Sequence, residues 1–182
     1  CIHTVFGNYP ATYQIQNTEC RGVQQGCGNS LVVIDGTLYY KSVGGVCVYT
    51  GSLPVEIGSQ LNEQGIQFHT AIAGTYKHNY YLAMRELKDK DSPYRCLYVY
   101  DTNKGIWHKE DELIVSQFCN VSGEDGEELY FLAISPEAQR CVRQIIGKGD
   151  YIDERKVDWF AETGLLGCSS PDKKYISRLN IR

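Results

Sequence analysis

Long apolar runs are missing from this chain. No stretch approaches the ~20 apolar residues of a membrane-spanning helix, and no basic start leads into the short apolar core of a signal peptide. Basic runs are missing too. Formal net charge is -4 at pH 7, which argues against nucleic acid as a direct ligand and suits a soluble surface. No two cysteines are spaced C-x-x-C, and no histidine lies about three to five residues from a cysteine, so the common zinc patterns are excluded. No glycine-rich phosphate loop follows a strand pattern, and there is no G-x-S-x-G elbow. Methionine occurs once. Helical periodicity is scarce, with residues 135–142 the one short, ambiguous candidate.

What the chain does have is repetition. Residues 30–40, read through the hairpin dipeptide Asp35-Gly36, are followed by residues 45–51. Residues 70–81 are followed by residues 94–102, and residues 117–123 by 128–133 and 140–147. Each unit is a strand, a polar turn, a strand with adjacent aromatics, a connection and another strand. The spacing is roughly 40–50 residues, the period of propeller blades. The expected fold is therefore all-β, with antiparallel sheets stacked as propeller-like blades. The expected blades are residues 1–62, 63–111 and 112–150. Residues 151–182 would add strands that start another blade or a neighbouring β domain.

Local signals agree. Asp35-Gly36 is the strongest hairpin turn in the chain. Gln14 and Gln16 alternate with Tyr13 and Ile15, which predicts a short edge strand. Residues 55–62 predict a helical turn or a loop. The charged run at 86–92 reads as a solvated hairpin tip. Cys96, Tyr98 and Tyr100 share one strand face and Leu97 and Val99 the other. The chain opens on Cys1 and ends at Arg182 within a strand pattern, so both ends are expected to be cuts from a longer protein.

Tyrosine is the composition outlier, at 14 against 5 phenylalanines. Its ring packs on a pleated surface while its hydroxyl reaches a polar partner. Tyr39, Tyr40, Tyr80, Tyr81 and Tyr130 are the expected strand aromatics. The stretch 100–107 predicts an anchored turn. Asp101 accepts from backbone N–H groups ahead of it, Gly105 supplies positive φ, and Trp107 fixes the turn to the sheet. It is similar to the turn element of sialidase Asp boxes and other propeller repeats, where that element is structural.

Eight cysteines read mainly as free thiols in a reducing compartment. Cys47, Cys96 and Cys141 occupy corresponding strands of successive units, too far apart for bridges. Cys20 and Cys27 are the one local pair that a disulfide could join. Asn120-Val121-Ser122 fits a glycosylation sequon but is short enough to arise by chance. His3, His69, His78 and His108 stand apart in sequence. The acid pairs Glu110-Asp111 and Glu124-Asp125 point to opposite strand faces, which makes them poor acid/base couples. No catalytic residue, metal or cofactor is assigned.

The chain resembles a group of tailed-bacteriophage and prophage virion proteins of the head–tail or tail-nozzle stabilising kind. The matching stretches are Gly7-Asn-Tyr-Pro-Ala-Thr12, Gly26-Cys-Gly-Asn-Ser-Leu31, Gly36-Thr-Leu-Tyr-Tyr-Lys41, Gly45-Val-Cys-Val-Tyr49, residues 97–102 with 105–111, and residues 159–164 with 174–182. The resemblance implies propeller-like blades, a ring around a tail axis, and no catalysis. It implies partners that are copies of the chain or other virion proteins, in a virion assembled in the bacterial cytoplasm. Three units fall short of the roughly four blades that a closed propeller needs, so an open stack or further blades are expected. Two other readings are a cell-surface or carbohydrate-binding β module, marked by an oxidised Cys20–Cys27 pair, and a propeller glycan-processing enzyme, which would need clustered arginines. Whether a small-molecule ligand binds is left open.

Overall fold

A computed structural model of the chain describes residues 1–62, 68–86, 96–110, 114–123, 126–133 and 141–145. The chain divides into two compact units, Cys1–Lys148 and Gly149–Arg182, and the fold below is that of the first. The charged run at 86–92, the acid pairs at 110–111 and 124–125, the segment 135–142 and the strands expected within 151–182 lie wholly or partly outside the described residues.

The protein is all-β. Among the described residues thirteen strands follow one another: β1 (Ile2–Phe6), β2 (Gln14–Thr18), β3 (Val32–Ile34), β4 (Thr37–Lys41), β5 (Val46–Tyr49), β6 (Val55–Glu56), β7 (Phe68–Tyr76), β8 (Asn79–Glu86), β9 (Cys96–Asp101), β10 (Ile106–Glu110), β11 (Val115–Gly123), β12 (Gly126–Ala133) and β13 (Cys141–Ile145). Short 3₁₀ turns occur at Pro10–Thr12, Gly28–Ser30 and Ser59–Asn62. β1 and β2 form a separate hairpin. The rest form three antiparallel meanders, β3–β6, β7–β10 and β11–β13, none of them closed. We call these blades one, two and three; the stack is propeller-like and open.

Turn chemistry sets each hairpin. Asp35 and Gly36 take φ of 49° and 76°, the left-handed pair that a two-residue hairpin loop needs to match strand twist. Lys77 takes φ 53° in the loop of blade two, less comfortably for a side-chain-bearing residue. β7 and β11 each carry a bulge near their start, at 68–70 and 115–117. Bulges at the same place in successive blades are a structural echo of the repeat.

Blade two is a shared wall. Tyr80, Leu82 and Met84 of β8 join Ile34, Tyr39 and Val46 of blade one in one buried cluster. Tyr81 and Ala83 of β8, with Leu97 and Val99 of β9, join Val115, Leu129, Phe131 and Ala133 of blade three in a second cluster. Strand alternation sends odd and even residues to opposite faces, so one four-stranded sheet feeds two cores. Each fully buried aliphatic or aromatic side chain contributes roughly 1.5–3 kcal/mol, and blade two supplies that from both sides.

The faces follow position after the turn. Counting from each hairpin loop, Tyr39 matches Tyr81 and Tyr40 matches Leu82. Even positions face the preceding blade and odd positions the following one. The aromatic pairs are therefore offset by one residue between blades, which their likeness in sequence conceals.

Two expectations need adjustment. Residues 55–62 contain a two-residue strand before their 3₁₀ turn, because Val55 and Glu56 pair with Val48 and Cys47 to complete blade one. β1, with no counterpart among the expected strands, pairs along its length with β2. Cys20 and Cys27 are both free thiols, as are Cys1, Cys47 and Cys119. Asn120 ties blade three to blade two, its side-chain amide donating to the Thr75 carbonyl at 3.0 Å.

Gly74 marks the closest approach of blades two and three. A Cβ there would stand 2.8 Å from Phe118 Cβ and 3.0 Å from Leu129 Cδ1. Gly74→Val is expected to destabilise the protein by about 1–3 kcal/mol through overpacking. Gly28→Ala, where a Cβ meets nothing within 4 Å, is expected to leave the urea midpoint nearly unchanged.

Candidate functional site

The densest constellation is the aromatic wall between blades one and two. Tyr39 and Tyr80 approach with ring centroids 5.4 Å apart, and Tyr39 and Tyr100 at 6.3 Å. Trp107 lies 4.9 Å from Tyr100 and packs edge-on to Tyr80 at 6.4 Å. Each ring has a polar handle when buried. Tyr80 donates its hydroxyl hydrogen to the Ser30 carbonyl at 2.7 Å. Trp107 donates its Nε1 hydrogen to the Ile57 carbonyl at 2.7 Å. Two rings of blade two thus grip two loop carbonyls of blade one, fixing the blades' register as well as their separation.

The turn that presents Trp107 is built as its sequence predicts. Asp101 Oδ1 accepts from the N–H groups of Asn103 and Lys104, both at 3.0 Å. Gly105 has φ 67° and donates its N–H to the Asp101 carbonyl at 2.8 Å. Lys104 Nζ closes on Asp101 Oδ2 at 3.0 Å. Lys104 and the backbone N–H groups hold the Asp101 carboxyl below its usual value. A depressed carboxyl contributes stability above its ordinary pKa and loses it as pH falls through the lowered one. Asp101→Ala is expected to drop Tm by a few degrees at neutral pH and by less in acid, measured by circular dichroism.

A hydrogen-bonded chain links these loops across the blades. Thr102 donates both its N–H and its hydroxyl to the His78 carbonyl, at 2.9 and 2.8 Å. The His78 ring meets Asp35 at 2.9 Å. Both side chains are exposed, so the pair is worth little by itself.

The expected aromatics divide among several places. Tyr39, Tyr80 and Trp107 come together. Tyr40 lies on the other face of blade one and donates to the Arg21 carbonyl at 2.8 Å. Tyr81 belongs to the second core. Tyr130 is half-buried on blade three and donates to Glu128 at 2.8 Å; that carboxylate holds its phenol up. Tyr100 and Ile57 belong to the wall but were not among the expected packing residues, although the alternation of β9 had placed Tyr100 on one face with Tyr98.

Lys41 is a second omission. It is buried, donating through Nζ to Gln24 Oε1 at 3.1 Å and to the Ser42 carbonyl. Burial lowers its pKa, while Cys27, Cys47 and Glu56 act the other way. Its signal was parity with Tyr39, which puts both on the face toward blade two.

A cleft of about 430 Å³ opens beside the first strands of blades two and three, lined by Gly28, Asn29, Leu31, Ile72, Ser116 and Gln117 among others. Among the described residues no group of three or more histidine, cysteine or acidic side chains is placed to hold a metal ion. The aromatic wall offers packing and directional phenol and indole hydrogen bonds. Comparison of the chain with protein-family models, with curated proteins and with solved structures finds no match in any of the three.

Proposed function

We propose that this chain is a structural part of a tailed-phage or prophage virion, a tail or head–tail component that works through subunit packing and not through catalysis. The observation that supports the reading most is the incomplete stack. Blade two is covered on both faces, whereas the end blades keep apolar residues on their outward faces. Val33 of blade one is 62% exposed and Val121 of blade three is 43% exposed. In a repeat fold each unit buries its face against a neighbour, and exposed apolar residues on the end blades suit contact with a further subunit. Partners on this reading are copies of the chain or other virion proteins, assembled in the bacterial cytoplasm. Among the described residues no helix is long and apolar enough to cross a membrane.

The test is mass spectrometry of phage particles purified by density gradient. The reading expects the full-length protein in the particles at a fixed multiple per virion. Its absence from intact particles, with the protein free in the lysate or secreted, would overturn it.

A further inference from the structure

The hairpin that stands apart from both cores carries a chemical arrangement of its own. His3 of β1 pairs directly with Asn17 of β2. Cys1, two residues before His3, shares their face by strand alternation. Cys1 Sγ lies 3.1 Å from His3 Nε2, and His3 Nδ1 lies 2.6 Å from Asn17 Oδ1. An amide oxygen only accepts, so Nδ1 carries the hydrogen and donates it. In the neutral ring Nε2 then turns its lone pair to the thiol. Nucleophile, base and orienter stand in the relation that activates a cysteine.

We propose that Cys1 is an activated thiol that takes up low-molecular-weight disulfides. His3 Nε2 accepts the S–H proton. The thiolate attacks one sulfur of the disulfide RSSR, forming Cys1–S–S–R as the S–S bond of the reagent breaks. The leaving thiolate RS⁻ departs with the bonding pair and takes a proton from the imidazolium or from water. The disulfide is itself the oxidant. Cys1, His3 and Asn17 are exposed, so the reagent meets no barrier. The inference does not rest on the virion reading.

The chain supplies its own controls. Cys119 is also exposed, but its Sγ faces the Asn120 carbonyl at 3.7 Å, and among the described residues no histidine is hydrogen-bonded to it. Cys27 and Cys47 are buried, and burial pushes both thiols up. Gly22 packs on the backbone of Cys1, where an added Cβ would come within 2.7 Å of its carbonyl oxygen.

The experiment treats the full-length reduced protein with glutathione disulfide at pH 7 and follows each cysteine by peptide mass spectrometry. Cys1 is expected to react about tenfold or more faster than Cys119. Its rate should persist below the ordinary thiol range. His3→Ala and Asn17→Ala should each bring Cys1 toward the Cys119 rate and move its pH profile up, while the urea midpoint stays put because the hairpin joins neither core. Equal rates at Cys1 and Cys119, or a Cys1 rate indifferent to His3→Ala, would overturn the proposal.

Discussion

Replacing Tyr80 by alanine is expected to cost about 3–5 kcal/mol of stability, the range for removing a buried aromatic ring. The ring is fully buried, lies against Tyr39 and Trp107, and holds the Ser30 carbonyl. Tyr80→Phe separates the two contributions. It keeps the ring and leaves the Ser30 carbonyl without its donor, at a cost of about 1–3 kcal/mol. Tyr130→Phe, half-buried on blade three, is expected to leave the midpoint within error. Urea unfolding with a constant m-value measures all three. Since whole domains are stable by only about 5–15 kcal/mol, the alanine variant is expected to be partly unfolded at physiological temperature. A Tyr80→Ala protein with the parent's midpoint would mean that blades one and two are not joined through this ring.

Alkali is expected to unfold the protein between about pH 10 and 12. Burial pushes the phenols of Tyr40 and Tyr81 up to about 12 from 10.0, and it raises Tyr80 as well. Below the ordinary phenol value both folded and unfolded chains keep these protons, and stability does not respond to them. Above it the unfolded chain ionises while the folded chain does not, so stability falls as pH rises toward the raised values. Cys27 and Cys47, raised by burial from 9.0, start the decline earlier. Lys41 acts oppositely, because its lowered value makes stability rise with pH until its ordinary value near 10.5. One lysine is outweighed by the raised phenols and two thiols. The double variant Tyr40→Phe, Tyr81→Phe should move the alkaline midpoint upward, and a fold indifferent to pH up to 12 would contradict the burial of these rings.

Much of the architecture is legible in the chain, because its local rules agree. Asp35-Gly36 announces a hairpin through its backbone freedom. Asp101, Gly105 and Trp107 announce an anchored turn because each residue type serves one need of that turn. Cys47 and the strands at 96 and 141 fall third in their blades, as the repeat predicts. What stayed hidden depends on counting across space. Facing is set by distance from the hairpin loop, so the matching pairs Tyr39-Tyr40 and Tyr80-Tyr81 conceal a one-residue offset. β1 is short, and over Ile2–Phe6 its sequence does not alternate apolar with polar residues, so its pattern gave no strand signal. The neighbourhood of Cys1, His3 and Asn17 exists only once β1 pairs with β2. Val55-Glu56 is too short to have a period at all.

The central claim is that blade two is one sheet with a different neighbour on each face. Nuclear Overhauser contacts in solution test it most directly. Cross-peaks are predicted between the rings of Tyr39 and Tyr80, and in the same molecule between the Gly74 α-protons and the Phe118 ring. Finding Tyr39 and Phe118 against the same side of the β7–β8 hairpin, as a two-sheet sandwich would place them, would contradict the stacked-blade account.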